Sequence, residues 1–298
     1  MKIDRILLTT DFSDNARQAY ACAADLAAKL DAELHLVHFR GEFPFAGAMS
    51  RFGDATAREP LFDSLENALA AEASEHPKFD GIDVQPHLER YRWTRSRQRE
   101  LEQKLDIDLI VMSPQGRIGM AKMLLGSFAD RIVRHSLVPV LLFRPSGSQE
   151  TFNPRTVLAP HDFYDRPRTT LPAMRWLDSQ FSSVFRFLYV YDPTWATATS
   201  IPGIEVQFER AFRNVPTLSV EERFAKVKDD DLQGLDVTFE TAQGYPSQQV
   251  VQRANDLLAD LVLLATRDGL GSVSRKVITD ARCSVLAVPM DERLEPVK

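Results

Sequence analysis

The feature that most constrains this chain is that it contains itself twice. Arg5-Ile-Leu-Leu-Thr-Thr-Asp-Phe12 recurs as Thr156-Val-Leu-Ala-Pro-His-Asp-Phe163, 151 positions later. Asp108-Leu-Ile-Val-Met112 recurs as Asp260-Leu-Val-Leu-Leu264, 152 positions later. Gly126-Ser127 and Val140-Leu-Leu142 recur as Gly271-Ser272 and Val285-Leu-Ala287, now at an offset of 145. The order of landmarks is kept, so the fall from 152 to 145 places a shortened loop between the second and third of them. A repeat of this length describes two whole domains, and 298 residues accommodate two of about 140. The expected domains are residues 1–146 and 154–292, joined by the polar stretch Ser146–Asn153 with Gly147 in it and Pro154 after it.

Within each copy, short apolar runs alternate with amphipathic stretches of helical length, the signature of a parallel sheet with crossover helices. In the first copy the pattern predicts strands at Arg5–Thr10, Glu33–Phe39, Asp83–Leu88, Leu109–Ser113 and Pro139–Phe143. Helices are predicted near Asp14–Leu30, Phe62–Glu75, Thr94–Leu105 and Ser127–Ser136. The second copy repeats this with strands near Val157, Phe185–Tyr191, Val237–Thr241, Leu261–Ala265 and Ser284–Val288. The fold class is therefore α/β, two tandem doubly wound five-stranded parallel-sheet domains. Bare last strands invite pairing, so the two copies are expected to join there as an internal pseudo-dimer, a further homodimer being left open. Ligands of such sheets lie beyond the carboxyl ends of the strands, which directs attention to the residues after strands one and four.

After strand four the first copy reads Ser113-Pro-Gln-Gly116-Arg117, then Gly126-Ser127-Phe128 at the start of a helix. A glycine admits close approach of a ligand to the backbone, and the unpaired amides and dipole of a helix start attract an anion. Spacing alone leaves Ser127 equally able to cap its own helix. Asp11, just past strand one, could accept from an adenine amino group or close a local turn with Ser13.

Thr9-Thr-Asp-Phe-Ser13, Asp108-Leu-Ile-Val-Met112, the spaced Gly116 and Gly126-Ser127, and Pro139-Val-Leu-Leu142 resemble the universal stress protein family in order and spacing. The resemblance spans about residues 2–145 and, more weakly, 155–290, and implies an adenine nucleotide α-hydrolase-like fold. Nucleotide-binding members carry Gly-x2-Gly-x9-Gly-Ser/Thr after strand four; this chain has Ser113 in place of the first glycine. The resemblance implies that Asp11 and the backbone of Phe39 hold adenine and that the Ser113 region meets ribose. Gly116, Gly126, Ser127 and Phe128 would take the phosphates, with Thr10 and Arg117 completing the set. The implied ligand is ATP, with or without magnesium. Arg92 stands where the second copy has Gly244, either pairing with phosphate or filling the pocket.

In the second copy Ala265 and Asp268 occupy the two leading glycine positions, and only Gly269 and Leu270 separate Asp268 from Gly271. A carboxylate in a phosphate nest repels the ligand, so ATP is expected in the first copy only. Asp162 still matches Asp11, which leaves room for a small anion or another ligand. The long aromatic-rich segment 193–218 reads as a lid, a partner surface or extra packing.

Other chemistries find little support. The chain has neither Gly-x4-Gly-Lys-Ser/Thr nor Gly-x-Gly-x2-Gly, its net charge is −6, and the arginines near 90–99 read as a solvated helix entry rather than a nucleic-acid surface. No Cys/His group has zinc spacing, and His35 and His38 should face opposite ways on one strand. Cys22 and Cys283 read as small buried apolar residues. The opening apolar run has strand length, and no run has the length of a membrane span, so a cytoplasmic protein is expected. The sequence offers no catalytic residue set, so hydrolysis would be slow at most. The leading expectation is an ATP-binding stress-response regulator; the alternatives are a scaffold that binds no nucleotide and an adenylate-forming enzyme.

Overall fold

The structure is a computed structural model and describes residues 1–39, 59–89, 93–115, 125–145, 151–162, 168–191, 220–266 and 270–290. The ten strands among these described residues form one sheet. In the first half these are β1 (Arg5–Thr9), β2 (Glu33–Phe39), β3 (Val84–Glu89), β4 (Leu109–Met112) and β5 (Val140–Leu142). The second half supplies β6 (Thr156–Pro160), β7 (Val184–Tyr191), β8 (Val237–Gln243), β9 (Leu261–Thr266) and β10 (Ser284–Pro289). The order across the sheet is β3-β2-β1-β4-β5-β10-β9-β6-β7-β8, two copies of one five-strand arrangement placed back to back. Every pairing within a half is parallel, whereas β5 meets β10 antiparallel, with Leu142 opposite Val285, Leu141 opposite Leu286 and Val140 opposite Ala287. The edges left bare in each half thus cover one another, as the sequence predicts.

The helices α1 (Asp14–Arg17), α2 (Tyr20–Leu30), α3 (Glu59–Glu75), α4 (Arg95–Lys104) and α5 (Ser127–His135) belong to the first half. The second half has α6 (Leu171–Phe181), α7 (Val220–Asp230), α8 (Pro246–Asp256) and α9 (Ser272–Asp280). Because side chains alternate along a strand, the sheet divides its apolar residues between two faces. Ile6, Leu8, Leu36 and Val111 enter one core with Val157, Phe185, Leu263 and Leu286 of the second half. Leu7, Val37, Ile110 and Leu142 enter the other with Leu158, Leu188, Val262 and Val285. Both cores run unbroken from one half to the other.

The repeat is preserved in atomic detail. Asp108 Oδ2 accepts the amides of Asp4 and Arg5 at 2.8 and 3.0 Å, fixing the start of β1 against β4. Asp260 Oδ2 does the same for Arg155 and Thr156 at 2.9 and 2.8 Å. Left-handed backbone recurs at matching positions, Asp31 with Ser182 and Asp106 with Leu258. One predicted element differs: the expected helix Asp14–Leu30 is interrupted between α1 and α2. There Gln18 and Ala19 donate three residues back, to Asn15 at 3.3 Å and Ala16 at 3.1 Å, a tighter winding than an α-helix.

β3 and β8 are the outer edges of the sheet. Pro86 lies within β3, opposite Leu36 of β2.

Candidate functional site

At the carboxyl end of β1 the chain must turn from the sheet into α1, and its polar side chains organise that turn. Asp11 Oδ1 accepts the Ser13 amide at 3.0 Å and the Ser13 hydroxyl, while Ser13 Oγ caps α1 by accepting the Ala16 amide at 3.2 Å. One oxygen of Asp11 therefore serves the local turn. Phe12 takes a left-handed conformation, φ 63°, and its amide donates to Thr10 Oγ1 at 3.0 Å. Its ring rests 4.9 Å from that of His38, whose Nδ1 lies 2.8 Å from the Thr10 carbonyl.

Behind this turn is a half-buried polar chain that sequence reading missed. Tyr20 Oη lies 2.6 Å from Thr10 Oγ1 and 3.1 Å from Glu72 Oε1, and Arg17 grips both oxygens of Glu72 at 2.7 and 3.1 Å. Burial pushes the Glu72 carboxyl up, but the bonds from Arg17 and Tyr20 outweigh it and hold the group below its usual range. Burial pushes the Tyr20 phenol well up, so it is neutral and able to donate. The break between α1 and α2 lies directly before Tyr20, whose side chain is fully buried. No local signal links Thr10 to Glu72, because 62 positions separate them.

The second wall comes from β4 and α5. Thr10, Phe39 and Ser113 are all buried at the ends of neighbouring strands. Ser113 Oγ receives the Gln115 amide at 3.4 Å, and Gly126 donates to the Pro114 carbonyl at 2.9 Å, returning the chain beside β4 as α5 begins. Gly126 is the N-cap of α5 and Ser127 its first helical residue. Of the two readings left open for Ser127, capping is the one that fails: the cap is a glycine, with no side-chain cap bond among the described residues. Among the described residues the start of α5 thus has no carboxylate or hydroxyl cap, though Asp130 lies in its first turn, and its free amides are of the kind that attract an anion. Phe128, in the first turn of α5, meets Phe39 with ring centroids 5.4 Å apart. The fold thus gathers Thr10, Asp11, Phe39, Ser113, Gly126, Ser127 and Phe128 around the ends of β1, β2 and β4. Gly116, Arg117 and Arg92 lie outside the described residues, as does the segment 193–218.

In the second half, a cavity of about 320 Å³ opens at the ends of β6 and β9, between strands that part to opposite sides of the sheet. Its lining includes the polar residues His161, Asp162, Thr170 and Ser274 and the apolar Phe187 and Leu264. Gly271 caps α9 as Gly126 caps α5, again without a side-chain bond. Asp268 and Gly269 lie outside the described residues. His35 and His38 do face opposite sides of β2: His35 Nδ1 lies 3.0 Å from His87 Nε2, while His38 turns to β1. Cys22 and Cys283 are free and buried, and burial raises the Cys283 thiol to about 11. Among the described residues no helix is long and apolar enough to cross a membrane.

Comparison with known proteins agrees with the two-part fold. A sequence profile of the Universal stress protein family matches residues 2–144 and again residues 154–289. A universal stress protein of Methanocaldococcus jannaschii is 28% identical over 141 residues, 47% of this chain and 81% of that protein. Over the whole chain, the crystal structure of a universal stress protein from Archaeoglobus fulgidus superimposes with a TM-score of 0.67 at 17% identity, covering 97% of this chain and 99% of that one. A functionally unknown protein from Pseudomonas aeruginosa superimposes with a TM-score of 0.58 at 14% identity, covering 97% and 94%. The double match spans nearly the entire sequence, and both halves have the corresponding fold: the chain belongs to the universal stress protein family.

Proposed function

We propose that the first half binds ATP or a related adenine nucleotide, and that the protein is a cytoplasmic stress-response regulator for which the nucleotide is a ligand, hydrolysed slowly at most. The observation that carries this reading is the start of α5, capped by a glycine whose amide donates to the Pro114 carbonyl, next to Ser113 at the end of β4. In this reading the α5 amides and the Ser127 hydroxyl hold phosphate, the β4 end meets ribose, and Asp11 with the Phe39 backbone meets adenine. Gly116 and Arg117 extend the phosphate cradle, and magnesium accompanies the nucleotide.

The test is calorimetric titration of nucleotide-stripped protein with Mg·ATP, beside Gly126→Glu. Gly126 has φ −59° and ψ 141°, which any residue adopts, so the variant should fold. Its carboxylate would stand where phosphate charge is expected. One site per chain, abolished in the variant, is the expected result; equal binding by both proteins would remove α5 from the reading. A second reading, a scaffold without nucleotide, draws on the contact between Phe39 and Phe128, which fills space between β2 and α5. That reading takes over if the wild type produces no heat of binding.

A further inference from the structure

The seam between the halves has a symmetry that its side chains break. Applying the offset of 145 that relates α5 to α9, Leu141 corresponds to Leu286, and these two residues lie opposite one another across β5 and β10. A residue that faces its own counterpart lies on the two-fold axis relating the halves. Asp130 corresponds in the same way to Arg275, and these also meet, with Arg275 Nη2 3.0 Å from Asp130 Oδ1. Asp130 is further held by Arg134 of its own helix at 3.1 Å. In a pair of identical halves the same axis would bring Asp130 against Asp130, or Arg275 against Arg275.

Arg144 breaks the symmetry a second time. Its guanidinium Nη2 donates to the carbonyls of Ile278 and Thr279 at the end of α9, at 2.9 and 3.2 Å, and its amide donates to Ser284 Oγ at 3.1 Å. The carboxyl end of a helix attracts a cation, and α9 has no basic residue in its last turn. The counterpart of Arg144 is Pro289 and that of Ser284 is Pro139, so none of these three bonds can be returned. In a pair of first halves Arg144 would arrive at the end of α5, which carries Arg134 and His135.

We propose that Asp130, Arg275 and Arg144 restrict this sheet edge to one kind of partner, the opposite half of a tandem chain, and exclude pairing of like halves between molecules. The attraction between Asp130 and Arg275 is modest because Arg275 is half exposed. Selectivity arises because both alternatives set like charges on the axis. The same contacts are satisfied by exchange of halves between two chains, but the short connection from β5 to β6 keeps the effective concentration of the resident half high.

The test starts from the folded, full-length protein carrying a protease site within residues 146–150. After cleavage and prolonged incubation, native mass spectrometry reads which halves remain paired. The wild type is expected to give only the complex of one first half with one second half. Arg144→Met with Arg275→Asp puts an aspartate on every possible axis, and like-half pairs should then appear. Asp130→Arg with Arg275→Asp reverses the pair and should keep the mixed complex exclusive. Like-half pairs from the wild type, or a mixed complex still exclusive in the Arg144→Met/Arg275→Asp variant, would overturn the proposal. In the uncleaved chain, Asp130→Arg and Arg275→Asp should each lower the melting temperature, and the two together should recover it. A double variant no better than the worse single one would equally count against the proposal.

Discussion

At the scale of single residues, the informative groups are those whose charge the fold restrains. His35 and His87 face each other across β2 and β3, and burial is the main cause lowering both imidazoles below their ordinary 6.5. A histidine with a depressed folded value binds protons more readily once unfolded. Its contribution to stability is therefore present above about 6.5 and lost as the pH falls through the depressed folded value. Urea denaturation at pH 7.5 and pH 5.0 should show a lower midpoint in acid, and His87→Leu should reduce the difference. An unchanged pH dependence in that variant would assign the acid sensitivity elsewhere. This pair illustrates what a sequence does and does not disclose. The odd spacing of His35 and His38 is enough to separate their faces, but nothing in it announces His87, 52 positions from His35. Asp11 and Thr10 are legible as residues at a strand end, whereas the link from Thr10 through Tyr20 to Glu72 exists only once α3 is packed.

At the scale of elements, the sequence is most readable where a local period and a local stop coincide. β2 is read to the residue, because an apolar run ends at the charged Glu33 on one side and just after Phe39 on the other. The interruption between α1 and α2 is not legible, since Gln18 and Ala19 are acceptable helix residues; Tyr20, drawn toward Thr10, accompanies the tighter turn. Asp108 and Asp260 mark the repeat in the sequence, and the fold shows their work: each carboxylate binds two amides at the start of the neighbouring strand. Removing such an acceptor leaves two donors to water or to nothing. Asp108→Ala and Asp260→Ala should each cost about 2 kcal/mol, with the asparagine variants milder because one oxygen is kept. Equilibrium urea unfolding checks this, and a loss confined to one of the two variants would break the equivalence of the copies at this point.

At the scale of the whole molecule, the antiparallel seam makes one body of two repeats. Both apolar cores pass through it, so unfolding one half exposes the face of the other. The expectation is a single unfolding transition in which β1–β4 and β6–β9 lose hydrogen-exchange protection together. Leu141, 1% exposed at the axis, is the place to test this. Leu141→Asp buries a charge and should cost about 3 kcal/mol or more. Exchange followed by mass spectrometry should then resolve two separate transitions; two transitions already present in the wild type would show that the halves are only loosely joined. None of this coupling is visible from either repeat alone, because the axis exists only when the copies meet.

The outer edges complete the picture from the opposite direction. With β5 and β10 covering each other, β3 and β8 are the outermost strands among the described residues. Pro86 stands inside β3 and has no amide hydrogen, so this strand has one donor fewer with which to bind a neighbour. The duplication that consumed the inner edges therefore leaves β3 a poor template, and a sheet of ten strands is given a place to stop before it becomes the seed of a fibre.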